Sequence, residues 1–299
     1  DDSIAAERET EEFISLLAHD FLRSDSVSTD IELKALTEQF VDSRLPTEPS
    51  AVGDYLEDLS RRVVAHSIRT CSPRFIGHMT SSLPYFVRPV GKLLTALNQN
   101  VVKVETAKSL SPYERQTLAI MHRLVYGYSD DFYARHAQHS ESTLGMLVSG
   151  GTLANLTALW CARNNCFAPR GDFRGIEEDG LPAALACYGA QQAVIIGSRM
   201  LHYSFEKIAG LLGIGARSLR KVQTNAHTKR IDLSALRREI EDCLSRSQRI
   251  IALVGVAGEH RAGQAELRVV GDAHGVLLVC VRDDRQHRSE DLLAGDPHV

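Results

Sequence analysis

The first 70 residues carry apolar positions spaced as in amphipathic α-helices. One stripe recurs at intervals of three and four residues and consists of Ile14, Leu17, Ala18 and Phe21. Such spacing places the side chains on one face of a helix. The stretch Leu56–Ile68 has the same pattern, and the region from Pro46 to Pro49 indicates a loop between the two stretches. We therefore expect a helical N-terminal segment over residues 1–70.

The next part of the chain is richer in loops. Ser72–His78 is expected to form an ordered loop, and Val87–Leu97 has a helical pattern. Another helix is predicted to begin at Ser111, because serine is a good N-cap and Pro112 and Glu114 follow at positions that favour a helix start. Its buried face is expected to consist of Leu118, Met121, Leu124 and Val125.

From about residue 145, short apolar runs alternate with helical patterns. The runs predicted to be buried strands are Leu144–Val148, Ala193–Gly197, Ile250–Gly258 and Gly275–Val281. The helical patterns cover Gly151–Trp160, Phe205–Leu212 and Leu233–Leu244. Strands separated by helices of this length indicate βαβ units and a mostly parallel sheet flanked by helices. The predicted fold class is therefore α/β.

Composition and charge narrow the class of protein. The 299 residues include 34 Lys and Arg against 38 Asp and Glu, which gives a net charge of −4 and argues against a nucleic-acid partner. The basic stretch Arg217–Lys221 is expected to be a solvated helix end. No apolar run approaches the roughly 20 residues that a membrane span needs, so no membrane partner is expected.

The six cysteines indicate a reducing compartment. They lack CxxC pairs and regular spacing, which suggests buried thiols and a cytoplasmic location. Cys161 and Cys166 are expected to lie on a helix and not to form a redox pair. His136 and His139 are expected to lie in a solvated loop, because no carboxylate or cysteine cluster accompanies them as metal ligands.

The strongest local motif is a glycine pair, Gly150-Gly151, between Ser149 and Thr152. It stands where a predicted strand gives way to a helix. Glycines let backbone N–H groups approach an anion, the two hydroxyls add donors, and a helix N-terminus contributes positive potential. The pattern indicates a phosphate site, although a tight turn with an N-cap would have the same sequence. It is neither a Walker A motif nor a GxGxxG motif.

His202 is a second candidate, because it closely follows the predicted strand Ala193–Gly197. Ligands of α/β proteins bind at the carboxyl ends of parallel strands. The flat imidazole ring could stack there on an aromatic cofactor, and the alternative is an ordinary surface or core histidine. Lys207, a few residues later, is expected to be a solvated charge on a helix.

Together these motifs resemble the group II pyridoxal-phosphate-dependent amino-acid decarboxylases. The stretches that occur in the order seen in that family are Pro73-Arg74-Phe75-Ile76-Gly77-His78, Leu97-Asn98-Gln99-Asn100, Ser149–Asn155 and His202-Tyr203-Ser204. The resemblance covers residues 70 to 258 and is greatest to the branch of bacterial pyridoxal-dependent aspartate 1-decarboxylases, which are related to glutamate decarboxylases. It implies a fold type I pyridoxal-phosphate-dependent transferase that forms a homodimer with its active site at the subunit interface.

The resemblance also assigns residues to roles. Those implied to bind the phosphate of pyridoxal 5′-phosphate are Ser149, Gly150, Gly151 and Thr152. His202 would stack on the pyridine ring and act in catalysis. Those implied to line the substrate pocket are Phe75, His78, Gln99 and Asn100. The ring of this cofactor is an electron sink, so the bond from Cα to the carboxylate can break.

The implied activity is a cytoplasmic carboxy-lyase acting on a small acidic amino acid. L-Aspartate would give β-alanine for pantothenate and coenzyme A synthesis, and glutamate or a sulfinic analogue (sulfinoalanine) is the alternative. Arg74 and His78 are candidates for holding the second carboxylate, or they have a structural role. The alternative outside enzymes is an inactive protein that dimerises or binds cofactor without turnover.

Two family elements have no counterpart in the last part of the sequence. The family has an Asp-Ala-Ala run against the pyridine nitrogen and a later His-Lys pair whose lysine forms the Schiff base. Here Glu259–Gly263 replaces a threonine-rich turn, Arg282-Asp283-Asp284 follows the last predicted strand, and the sequence ends at Val299. The chain is either frameshifted after about residue 258, a truncated natural copy, or divergent with Asp283 as pyridine partner. The expected division is a helical segment 1–70, a partial cofactor-binding large domain 71–258 and a divergent tail 259–299.

Overall fold

The structure is a computed structural model that describes residues 2–77, 80, 82–257 and 277–282. It forms two compact units, Asp1–Asn100 and Val101–Val299. His78, Glu259–Gly263 and Asp283 lie outside the described residues. The division into segments 1–70, 71–258 and 259–299 stays a prediction.

The first unit is helical, as its apolar spacing predicts. Its helices are α1 (Asp2–Arg23), α2 (Leu33–Glu38), α3 (Val52–Asp58) and α4 (Val87–Leu97), and a π-helical turn (Leu59–Val64) continues α3. The loop after the π-helical turn contacts the segment after α1, because the buried Ser72 hydroxyl donates to the carbonyl of Asp25 over 3.0 Å.

The second unit contains a four-stranded sheet. Its strands are β1 (Gln192–Ser198), β2 (Leu219–Val222), β3 (Gln248–Ala257) and β4 (Leu277–Arg282), in the order β2-β1-β3-β4 with every neighbouring pair parallel. Its helices are α5 (Val104–Ala107), α6 (Leu110–Tyr126), α7 (Asp130–His136), α8 (Gly151–Cys166), α9 (Ile176–Cys187), α10 (Ser204–Leu211) and α11 (Leu233–Ser245). The predicted α/β class is confirmed.

The sheet separates two layers of helices. Along β1, Ala193 and Ile195 point into a core shared with α8, α9 and α10. Val194 and Ile196 point to the opposite face, where Cys243 of α11 packs. Side chains alternate between the faces of a strand, so a continuous apolar run such as this one is expected where both faces are covered. Phe205 and the other fully buried side chains of α10 complete the first layer.

Strand β2 corrects the prediction of a solvated helix end at Arg217–Lys221. Leu219 and Val222 are buried, while Arg220 and Lys221 between them are not. Arg220 lies 3.8 Å from the carboxylate of Glu239 on α11. An edge strand this short shows too few alternations to be separated from a charged helix end by sequence pattern.

The predicted strand Leu144–Val148 is also wrong. The structure has no strand over these residues, and the side chains of Met146 and Leu147 are more than half exposed. A strand needs hydrogen-bonded neighbours, and the sheet of the described residues places none beside this segment. An apolar run alone does not supply that neighbour.

The start of α6 differs from its prediction as well. The helix begins at Leu110 with Ser109 as N-cap, so Ser111 lies inside the first turn. The Ser111 side chain is buried and donates to the carbonyl of Val101 over 3.2 Å. The prediction of a buried face is wrong too. Three of its four members, Met121, Leu124 and Val125, are more than half exposed.

Among the described helices, none has the length and apolar character that crossing a bilayer requires.

Candidate functional site

The glycine pair forms the start of α8. Gly150 is the N-cap and has φ 101° and ψ 164°, a conformation that is essentially restricted to glycine. Its N–H donates to the carbonyl of Val148 over 2.9 Å, which turns the chain into the helix. A Cβ on Gly150 or Gly151 would meet no described atom within 4 Å, so no described residue fills the space next to these two glycines.

The same helix end is electropositive. Within the described residues no side chain caps α8, and its first turn contains no acidic residue. The N–H groups of Gly151, Thr152 and Leu153 belong to the first turn, where an α-helix offers them no carbonyl. They carry the positive end of the helix dipole. An exposed helix start with two glycines and hydroxyls at Ser149 and Thr152 can bind a phosphate-sized anion.

His202 lies in the short connection between β1 and α10. Its Nδ1 is 2.9 Å from the hydroxyl of Ser204 and accepts the backbone N–H of Ser204 over 3.2 Å. The rings of His202 and Tyr203 have centroids 4.2 Å apart and planes inclined at 39°. Ser204 is fully buried, whereas His202 is exposed. One edge of the imidazole is therefore held by the core while the ring remains accessible.

Contacts at the far end of α8 show which way the helix runs. Arg249, at the start of β3, donates from Nη2 to the carbonyl of Cys166, the last residue of α8, over 3.1 Å. Arg163 in the last turn of α8 donates to the carbonyl of Leu212 at the end of α10 over 2.9 Å. The end of α8 thus lies at the amino edge of the sheet, beside the end of α10.

The start of α8 consequently lies at the opposite edge of the sheet. A helix of this length spans about 24 Å at 1.5 Å per residue. Its glycine pair reaches the carboxyl edge of the strands, where His202 follows β1. From β1 the chain passes through α10 to β2 on one side and then returns through α11 to β3 on the other. Reversals of this kind are where α/β sheets bind ligands.

In the first unit, the contacts described for the predicted pocket residues are with neighbours in the sequence. The ring of Phe75 folds over Gly77, since a Cβ on Gly77 would lie 2.7 Å from two of its ring carbons. Gln99 follows the left-handed Asn98 that ends α4, and its amide donates to the carbonyl of Leu97 over 2.5 Å. Asn100 is exposed. Their role in a substrate pocket stays a prediction, as does that of His78.

Other candidates from the sequence have ordinary structural surroundings. His136 ends α7, and its Nδ1 is 2.8 Å from the hydroxyl of Ser142, so it does not lie in a solvated loop. Lys207 lies exposed on α10 with its amine 4.8 Å from the ring centroid of Tyr203. Across the described ranges, no group of three or more His, Cys, Asp and Glu residues could hold a metal ion.

The two cysteines of α8 lie on the helix, as predicted. Cys161 is exposed and Cys166 is buried, and both are free thiols. Burial raises the pKa of the Cys166 thiol, and the nearby guanidinium of Arg249 opposes this effect. Neither thiol lies at the start of the helix, where the glycine pair is found.

Sequence reasoning did not assign a role to two residues that shape the site. Ser204 holds His202, and Gly197 near the end of β1 lets the chain turn tightly toward it. A Cβ on Gly197 would lie 2.5 Å from Cδ1 of Leu201. A glycine interrupting an apolar strand just before a candidate site residue is the signal that could have identified the second.

Comparison with known proteins shows similarity to decarboxylases. A family model described as "Pyridoxal-dependent decarboxylase conserved domain" matches residues 35–270. Aspartate 1-decarboxylase from Aliivibrio fischeri is 41% identical over 256 residues, which cover 86% of this chain and 47% of that protein. L-Aspartate decarboxylase dtxS4 from Metarhizium robertsii is 28% identical over 251 residues, which cover 83% of this chain and 43% of that protein.

A solved structure supports the fold. The crystal structure of mouse CSAD matches with a TM-score of 0.69 at 21% identity and covers 89% of this chain and 50% of that chain. Identity this low bears on the fold alone. The chain spans about half the length of the curated relatives that it matches.

Proposed function

The chain belongs to the pyridoxal-dependent decarboxylase family, and on that premise we propose that it acts as a pyridoxal-phosphate-dependent carboxy-lyase on a small acidic amino acid. The observation that carries this proposal is the start of α8, which no described side chain caps and which lies at the same sheet edge as His202. The proposed substrate is L-aspartate, and the product β-alanine would supply pantothenate and coenzyme A synthesis. The proposed state is a cytoplasmic homodimer.

The residues at the sheet edge suit this cofactor. Ser149, Gly150, Gly151 and Thr152 would hold its phosphate, because these exposed residues bring first-turn N–H groups and two hydroxyls to one positive helix end. His202 would stack on its ring, since the imidazole is anchored by Ser204 on one edge and is otherwise exposed. When bound, pyridoxal phosphate supplies an electron sink for the negative charge left on Cα as carbon dioxide departs.

The choice of aspartate rests on relatives and on charge. The Aliivibrio fischeri relative is named for aspartate, as is the fungal one. A substrate with a second carboxylate needs a cationic or hydrogen-bonding partner. Arg74 is exposed in the loop after Ser72, and together with His78 it would hold that carboxylate. Phe75, Gln99 and Asn100 are the other residues proposed to bind the substrate.

A second function, cofactor binding without turnover, is favoured by the sequence that follows β4. Strand β4 ends at Arg282, and the sequence continues with Asp283-Asp284 where the family has an Asp-Ala-Ala run. The carboxylate that the family places against the pyridine nitrogen would then be absent or differently placed. Such a protein would retain the phosphate site at α8.

Carbon dioxide release separates these functions. The purified protein, supplied with pyridoxal 5′-phosphate, is incubated with L-aspartate, L-glutamate and cysteine sulfinate at equal concentrations. The proposal predicts the fastest release from aspartate. Equal rates, or a preference for glutamate, would contradict the substrate assignment. Cofactor binding without release from any of the three would favour the second function.

A further inference from the structure

We propose that Ser204 is a positioning residue that fixes the ring orientation of His202 and places the ring proton on Nε2. The inference rests on the proposed function, because it concerns how His202 would present its ring to the cofactor. Its support lies in contacts of the chain itself. It goes beyond the stacking role, which says nothing about what holds the imidazole or which nitrogen carries hydrogen.

The hydrogen bonds of Ser204 determine the tautomer. Its backbone N–H donates to Nδ1 of His202 over 3.2 Å. A backbone N–H is always a donor, so Nδ1 must present its lone pair, and the proton of a neutral ring is then on Nε2. The Ser204 hydroxyl is 2.9 Å from the same Nδ1 and donates there as well. The backbone N–H and the hydroxyl of Ser204 thus both donate to Nδ1 of His202.

The anchor is rigid because Ser204 is part of the core. It is fully buried and is the first residue of α10. Phe205 and Ile208 of the same helix are also fully buried, in the cluster that fills one face of the sheet. Movement of Ser204 would require movement of α10 against that core. The imidazole is therefore held at one edge by the fold and not by solvent-exposed groups.

The two faces of the imidazole have different surroundings. Tyr203 packs on one side, with a centroid distance of 4.2 Å, and the Lys207 amine lies 4.8 Å from the centroid of the Tyr203 ring. A planar ligand would stack on the opposite face. Because the ring is already oriented, less conformational freedom is lost when that ligand binds. Loss of the Ser204 hydroxyl should therefore weaken binding of a planar cofactor more than binding of phosphate.

The chain offers a matched control in Ser218. It is buried like Ser204, and its hydroxyl donates to the carbonyl of Ile214 over 2.8 Å and accepts from the Gln192 side chain over 2.7 Å. Ser218→Ala removes a buried hydroxyl from the same unit without touching His202. Ser204→Thr keeps a hydroxyl at the anchoring position and serves as the conservative variant.

The first readout needs no cofactor. Nitrogen NMR of protein labelled in its histidine rings distinguishes the two tautomers, and the signal lost in His202→Asn identifies His202. We expect the proton on Nε2 in the unmodified protein and in Ser218→Ala. Ser204→Ala keeps the backbone N–H donor and loses the hydroxyl, so Nε2 should stay the main protonated site and a minor share of rings should carry the proton on Nδ1. A proton on Nδ1 in the unmodified protein would overturn the proposal whether or not Ser204→Ala folds.

The second readout compares two ligands by calorimetry, pyridoxal 5′-phosphate and inorganic phosphate. Ser204→Ala should weaken cofactor binding by roughly threefold to tenfold, the effect of one net hydrogen bond, and leave phosphate binding unchanged. Ser204→Thr should restore most of the loss, and Ser218→Ala should change neither affinity. Equal cofactor affinity in Ser204→Ala and the unmodified protein would overturn the proposal. If neither ligand bound the unmodified protein, the proposed function would fail, while the ring spectra would still decide the Ser204 contact.

Discussion

Leu201 packs directly over the α-carbon of Gly197, so that a Cβ at position 197 would lie 2.5 Å from Leu201 Cδ1 and 3.2 Å from the carbonyl oxygen of Val254. This contact closes the turn between the end of β1 and His202. Both Leu201 and the strand beneath it are buried. The absence of a side chain at Gly197 therefore sets how closely the connection can follow the sheet.

Substituting Gly197 with alanine should destabilise the protein. The added methyl group must displace Leu201 or the β3 backbone, and overpacking of this kind costs about 1–3 kcal/mol. Urea unfolding of Gly197→Ala should show a correspondingly lower free energy of unfolding. Gly210→Ala, on an exposed position of α10 where a Cβ meets no described atom, is the control and should be neutral or up to about 1 kcal/mol more stable. Equal stability of the two variants would contradict the contact.

The two glycines of α8 should respond differently to alanine. Gly150 has a positive φ that costs a non-glycine residue about 1–3 kcal/mol, so Gly150→Ala should lose both stability and affinity for pyridoxal 5′-phosphate. Gly151 has no such strain, and Gly151→Ala should keep its stability. Its new methyl group would stand where the phosphate approaches the first turn and should lower cofactor affinity. Unchanged affinity in Gly151→Ala, measured by calorimetry beside its melting temperature, would argue against this position for the phosphate.

The regular elements of the second unit could largely be predicted from sequence. β1, α10, α11 and β3 have long apolar or periodic patterns, because both faces of the sheet are covered and each helix buries one side. Strand β2 has only Leu219 and Val222 as buried positions, so neighbouring charges outweigh the pattern. Leu144–Val148 shows the converse, since an apolar run forms a strand only where another strand lies beside it.

For the candidate site, the sequence indicates which elements its residues adjoin, but not the contacts that bring and hold them together. Gly150-Gly151 could be assigned to the start of a helix pattern and His202 to the end of a strand pattern, although the strand predicted before the glycine pair does not form. That both lie at one edge follows from Arg163 and Arg249, whose long-range contacts orient α8. Long-range contacts of this kind leave no periodic signal in sequence. The anchoring of His202 by Ser204 is local, yet it depends on the conformation of the turn.

Acidification should destabilise the contact between α6 and α7. The His122 ring contacts Tyr126 and Phe132, and its Nδ1 is 3.0 Å from the Tyr133 hydroxyl. Burial lowers the pKa of His122, so the unfolded chain takes up a proton first. The contribution of His122 is then complete above its ordinary pKa of about 6.5 and is lost as the pH falls through the lowered value.

The free energy of unfolding should accordingly fall between pH 7 and pH 5. His122→Phe keeps an aromatic ring without the titrating group, so the decrease should be smaller in that variant. Unfolding curves of both proteins at several pH values provide the comparison. Parallel pH profiles for the variant and the unmodified protein would exclude His122 as a source of the pH dependence.

Arg249 should contribute to stability through its planar guanidinium. Its Nε and Nη2 donate to the carbonyl of Cys166 over 3.3 and 3.1 Å, and the group lies 4.6 Å from the ring centroid of Tyr188. Lysine lacks the planar guanidinium that makes both donations and stacks on the ring together, so Arg249→Lys should lower the free energy of unfolding by about 1–2 kcal/mol. Arg246→Lys is the control, because the exposed ion pair of Arg246 with Asp242 should contribute less than about 1 kcal/mol. Similar losses in both variants would contradict a special role for Arg249.

The start of α8 is proposed to bind the phosphate of pyridoxal 5′-phosphate. Calorimetric titration of the purified protein with pyridoxal 5′-phosphate and with pyridoxal, which lacks the phosphate, tests it most directly. We expect pyridoxal to bind at least about tenfold more weakly, because charge-assisted hydrogen bonds to the helix start are lost. Equal affinities for the two compounds, or no binding of either, would contradict it.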